Sequence, residues 1–175
     1  PILAYKNHLY IIESFKDLAK QFNLQLHFVG GGDKTLISKI KSKIETYSLK
    51  EHFIFYPFLD HDEVMKLIIN SDIALFTSSV ECFGITLLEY MRSAMPIICS
   101  NASSLPETLK DTGIYIDLNK NNDLKEAVKR FYFDEKLREK YGKLAYEESS
   151  KYSWESASNK TVEFIIENYE KANMH

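Results

Sequence analysis

Apolar positions along the chain alternate between two periods. From Leu9 to Phe22, Leu9, Ile12, Phe15, Leu18, Ala19 and Phe22 recur at three- and four-residue spacing, which predicts a helix. Leu24–Val29 then alternates as a strand and runs into Gly30-Gly31-Gly32. Leu36–Ile44 reads as helix, and His52–Phe58 as a strand cut by Pro57. Asp60 and Glu63 have capping-box spacing ahead of a helix over Val64–Ile69. Ile73–Phe76 is a short buried strand, Gly84–Ser93 a helix, and Pro96–Cys99 and Ile114–Ile116 further strands. From Asn122 to Ala172 the pattern is helical, with a break at Tyr152-Ser153. Short apolar strands alternating with helices predict an α/β, Rossmann-like parallel sheet flanked by helices. The C-terminal helices are expected to wrap the domain rather than extend the sheet. Such sheets bind ligands at the carboxyl ends of their strands. That directs attention to the loops 30–33, 57–60, 77–84 and 100–107.

Composition narrows the classes. The 175 residues amount to one domain, 45% hydrophobic and 13% aromatic, enough for a core. Net charge is −3 with both signs interspersed, which argues against a nucleic-acid-binding face. No apolar run is long enough to span a bilayer, and no basic n-region precedes Pro1-Ile2-Leu3. The two cysteines, Cys82 and Cys99, have no metal-ligand spacing, and a reducing, cytoplasmic setting is the default. The five histidines, His8, His27, His52, His61 and His175, have no ligand spacing either. Because the chain begins without Met at the approach to a helix, a piece of a longer protein is expected.

The chemistry concentrates in Thr77-Ser78-Ser79-Val80-Glu81-Cys82-Phe83-Gly84-Ile85-Thr86-Leu87-Leu88-Glu89, between a buried strand and a helix. A helix N-terminus offers free N–H groups and a positive dipole end to phosphate or sugar oxygens. Gly84 lets a ligand come close. Eight residues of continuous helix would set Glu81 and Glu89 about 12 Å apart. Glycosidase acid/base pairs sit at roughly 5–9.5 Å. Two separate anchors fit better than a hydrolytic pair, and each carboxylate is a good acceptor for paired sugar hydroxyls.

These residues, with Pro96-Ile97-Ile98-Cys99-Ser100 and Pro106-Glu107, resemble the E-x7-E region of the retaining glycosyltransferases of family 4, in the C-terminal, donor-binding domain of the GT-B fold. Lys6, Val29-Gly30-Gly31-Gly32, Asp72 and Tyr152-Ser153-Trp154 fall in matching order. The resemblance implies a hexose transferred from an NDP-sugar, UDP- or GDP-linked, to a glycan or lipid-linked acceptor. It assigns catalytic roles to Lys6, which would neutralise the diphosphate, and to Glu81, which would hold hexose hydroxyls. Phe83, Gly84, Ile85 and Thr86 would bind sugar and diphosphate, and Glu89 the ribose. Gly30 and Gly31 would line the phosphate side and Phe58 the base. No cofactor and no metal are implied. The acceptor domain would lie N-terminal to residues 1–175, so this single domain is expected to transfer no sugar alone. Any contact with the inner membrane would come through that missing half.

The sequence departs from the family pattern at four positions. Lys6-Asn7 replaces Lys-Gly, Ser103-Ser104 replaces Gly-Gly, and Thr77 replaces a Pro. None removes a charged anchor, but they leave the donor open. Asp72 is expected to cap or pair structurally, and Cys82 has no evident base to make it a nucleophile. Two other functions stand beside the transferase: a related epimerase acting on nucleotide sugars, and a non-catalytic Rossmann-like module that binds a partner.

Overall fold

The computed structural model describes residues 1–120 and 122–173; His175 lies outside them. Its helices are α1 (His8–Phe22), α2 (Lys34–Thr46), α3 (His61–Ile69), α4 (Ile85–Arg92), α5 (Leu105–Leu109), α6 (Asp123–Phe133), α7 (Glu135–Ser149) and α8 (Trp154–Asn173). Its strands are β1 (Leu26–Val29), β2 (Phe53–Tyr56), β3 (Ala74–Phe76), β4 (Ile97–Ser100) and β5 (Ile114–Ile116).

All strand pairing is parallel and the strands are flanked by helices, as the alternation of elements predicts; the hydrogen-bonded ladders divide at one place. The strands form two sheets, β1-β2 and β3-β4-β5, rather than one. Among the described residues neither β1 nor β3 has a hydrogen-bonded strand on its second side, and both strands line a cleft of about 760 Å³. Backbone pairing is a long-range choice that periodicity does not encode.

The halves are joined by packing. Every residue of β4 is buried. Its side chains alternate faces, so Ile98 joins a core with α1, β1, β2, α2, β5 and α6, while Ile97 and Cys99 join a second core with β3, α4 and α5. The first seven residues add a strap across the seam. Ile2 bridges Gly32 in parallel fashion, its N–H donating to the Gly31 carbonyl (2.8 Å) and its carbonyl accepting from the Asp33 N–H (3.0 Å). A Cβ on Gly32 would sit 2.0 Å from the Ile2 carbonyl oxygen, so only glycine admits this approach. At the other end of the strap, the Asn7 amide donates to the Thr77 carbonyl (2.8 Å) and the Thr77 hydroxyl to the Lys6 carbonyl (2.8 Å).

The capping box forms as predicted: Glu63 N–H donates to Asp60 (2.8 Å), and Asp60 N–H to Glu63 (3.0 Å). Among the described residues Asp72 neither caps a helix nor forms an ion pair; the end of α3 is closed instead by the Ser71 hydroxyl on the Leu67 carbonyl (2.7 Å). The C-terminal region holds an extra break at Asp134, whose carboxylate caps α7 at Leu137 N–H (2.9 Å). Helices α6 and α7 wrap the sheet as expected. Helix α8 does not, because Trp154, Phe164, Ile165 and Tyr169 remain exposed. Among the described residues, no helix is long and apolar enough to cross a membrane.

Candidate functional site

The carboxyl end of β3 opens into the loop that carries Glu81. Gly84, at φ 82, turns this loop into α4 and supplies no side-chain cap, so the first N–H groups of the helix are left for other acceptors. The left-handed geometry suits glycine. A Cβ there would also crowd Leu105 and Leu87, each at 3.4 Å.

Lys6 lies across from this loop, in the short turn before α1. Its ammonium donates to Glu81 Oε1, and both side chains are largely shielded, 21% and 16% exposed. The ammonium also sits 4.9 Å from the centre of the Phe76 ring and 5.3 Å from that of Tyr5. Such ring faces attract a cation. The turn is fixed in place because the Ser79 N–H and hydroxyl both donate to the Tyr5 carbonyl (2.8 and 3.2 Å). Buried Ser78 donates to the same carboxylate oxygen of Glu81 (2.9 Å). The Glu81 backbone is tied to the β4–α5 loop. Ser103 and Ser104 hydroxyls donate to its carbonyl (2.7 and 2.8 Å), and its N–H donates to Ser103 Oγ (3.3 Å).

Glu89 and Thr86, on the first turns of α4, line the same cleft as Lys6. Beside Glu89, the Tyr90 hydroxyl is pushed above its ordinary range, by burial first and then by the Glu89 charge. Phe83 is partly exposed at the loop tip, its ring 5.6 Å from that of Tyr152 and its carbonyl held by the Thr108 hydroxyl (3.1 Å). Ile85 starts α4 and is exposed.

The glycine loop stands across the seam. Gly30 N–H donates to the Tyr56 carbonyl (2.8 Å), which holds the loop against the end of β2. Gly30 and Gly31 after β1, Glu81, Phe83 and Gly84 between β3 and α4, and Ile85 at the first position of α4 do not line the cleft itself. Phe58 is 80% exposed and has no ring partner among the described residues, so the structure does not gather it with the others.

The sequence pattern includes Asn7, Ser78, Tyr152, Ser103 and Ser104, but the contacts they make around the loop were not foreseen from it. Asn7 and the serine pair are visible as departures from a glycine pattern, but the bonds that tie them to Thr77 and Glu81 span 22 to 70 residues of chain. Cys99 is fully buried, and burial pushes its thiol up to about 12; Cys82 is exposed, and both thiols are free. Among the described residues no cluster of metal-ligating side chains is found.

Residues 2–148 match the glycosyl transferases group 1 family. The chain belongs to this family. It is 30% identical to an uncharacterized glycosyltransferase of Methanocaldococcus jannaschii over 83% of its own length and 40% of that protein's. It therefore spans well under half of that relative. In fold it is similar to the C-terminal domain of a glycosyl transferase group 1 family protein from Francisella tularensis (TM-score 0.77, 22% identity, 86% of this chain and 80% of that one). It is also similar to Anabaena HepE, whose structure holds UDP and glucose (TM-score 0.84, 16% identity, 95% and 46%). The fold is that of the Rossmann-like C-terminal half of GT-B glycosyltransferases.

Proposed function

We propose that this group 1 glycosyltransferase chain is the donor-binding domain of a retaining enzyme of family 4. It moves a hexose from a UDP- or GDP-sugar to a glycan or lipid-linked acceptor. The observation that carries the reading is the Lys6–Glu81 pair beside the uncapped start of α4, with Glu89 further along the same helix. A nucleotide sugar exchanges this internal ion pair for two separate contacts. Lys6 turns to the diphosphate, where negative charge grows as the donor bond breaks. Glu81, released, accepts from hexose hydroxyls, which a carboxylate does in pairs. The N–H groups of Phe83, Gly84, Ile85 and Thr86 meet sugar and phosphate oxygens at the positive end of α4. Glu89 accepts from the ribose hydroxyls, Gly30 and Gly31 admit phosphate oxygens, and Phe58 swings to cover the base. Positive charge at the leaving group comes from Lys6 and the helix amides, with no metal or cofactor assigned.

The acceptor domain is placed outside these residues, a reading supported by the 40% share of the relative's length that they cover. A cytoplasmic setting, with membrane contact only through that other half, accords with the two free cysteines.

Calorimetry with UDP, GDP and their hexose conjugates tests this directly. One nucleotide family binds, and Glu89→Ala weakens it by roughly ten- to a hundredfold, the value of hydrogen bonds to a charged group. Folded protein that ignores every nucleotide, or a Glu89→Ala variant of undiminished affinity, overturns the proposal.

A further inference from the structure

We infer that Ser103 and Ser104 are positioning residues that set Glu81 for the sugar; the inference rests on the donor-binding reading above. Glu81 lies in a loop next to exposed Val80 and Cys82, before α4 begins, so no helix fixes it. Its peptide is held by the serine pair. Ser103 Oγ accepts from the Glu81 N–H and donates to its carbonyl, which also receives the Ser104 hydroxyl. A hydroxyl has one proton and two lone pairs, so Ser103 fills both roles at once.

Two further observations indicate that these bonds govern local geometry. Ser104 occupies the N-cap position of α5, where a serine hydroxyl ordinarily accepts from the helix's own amides. It makes no such bond, Pro106 within the first turn has no N–H to offer, and its hydroxyl is turned to Glu81 instead. Ser103 holds φ at 54, a left-handed backbone that is unfavourable for any residue with a side chain. A glycine would relax it but would have no hydroxyl to reach Glu81. The loop thus keeps a strained residue whose side chain fastens the peptide of Glu81, the residue whose carboxylate is paired with Lys6 and Ser78. Because Glu89 is on α4 and Lys6 on the opposite turn, loosening the Glu81 peptide disturbs the sugar contact and leaves the nucleotide contacts in place.

The test compares affinities for a nucleoside diphosphate and its hexose conjugate, UDP with UDP-glucose and GDP with GDP-mannose, in wild type, Ser103→Gly/Ser104→Ala and Ser104→Thr. The double variant keeps the diphosphate affinity within about twofold, while the extra affinity contributed by the hexose falls about tenfold. Ser104→Thr, which retains the hydroxyl, keeps that extra affinity. A double variant with an undiminished hexose contribution overturns this inference alone. So does parallel weakening for diphosphate and conjugate, the mark of a merely structural role. Wild type that binds diphosphate and conjugate equally removes the sugar role of Glu81 and this inference with it. Wild type that binds neither overturns the functional reading itself.

Discussion

Asn7 and Ser103 carry left-handed backbone, at φ 58 and 54, where glycine sits most easily. Each uses the side chain that glycine lacks to hold a neighbouring loop: Asn7 to Thr77, Ser103 to Glu81. Asparagine tolerates this conformation, so the first substitution costs little. His8, the next residue, is a different case. Its ring packs edge-on against Phe28 (5.1 Å), and its buried Nδ1 has no partner among the described residues. Burial, reinforced by the charge of Lys6, pushes its imidazole down from 6.5 to about 4. The unfolded chain therefore binds a proton between these values that the folded chain refuses. Stability contributed by the neutral ring is complete above pH 6.5 and declines as pH falls toward 4. A His8→Gln variant loses this slope. Melting temperatures of the two proteins compared from pH 7 to pH 4 converge on acidification; parallel curves contradict the assignment.

Among the elements, the helices were the most legible in sequence. Their signals are local, as with Asp60 and Glu63 ahead of α3, or the apolar stripe from Leu9 to Phe22 on α1. The break at Asp134 was hidden because a single aspartate between Phe133 and Glu135 leaves the apolar spacing almost intact; the cap bond to Leu137 reveals it. Contacts between elements were not legible. Glu13 of α1 accepts from Lys43 and Tyr47 at the end of α2 and from Lys16 of its own helix, which holds its carboxyl down at about 2. Gly142 of α7 is similar: a Cβ there would stand 2.1 Å from the Ala94 carbonyl oxygen, after α4. On an open helix Gly→Ala stabilises by about 1 kcal/mol. Here the contact is with backbone that must move, at roughly 1–3 kcal/mol or more. Gly142→Ala is therefore destabilising on balance, and chemical denaturation will register a lower midpoint. A raised midpoint would show that α7 is less closely seated on α4.

At the scale of the whole molecule, the two carboxylates around the start of α4 were legible, because Glu81 and Glu89 stand in one short motif. The division into two sheets was not, since it depends on which strands find neighbours. That division predicts an order of hydrogen exchange. Amides of β4, bonded on both sides and buried throughout, exchange last; those of β1 and β3 include N–H groups turned to the cleft and exchange earlier. Uniform protection across all five strands would contradict a seam. The strap of residues 1–7 gives the seam its significance. It is fastened to Gly31 and Asp33 on one side and to Thr77 and Ser79 on the other, and Lys6 leaves from this second end. The span between the glycine corner and the acidic loop is thus determined by a tether of fixed length. A guest reaching from one to the other finds its berth already measured, and the protein need not surrender freedom to close around it.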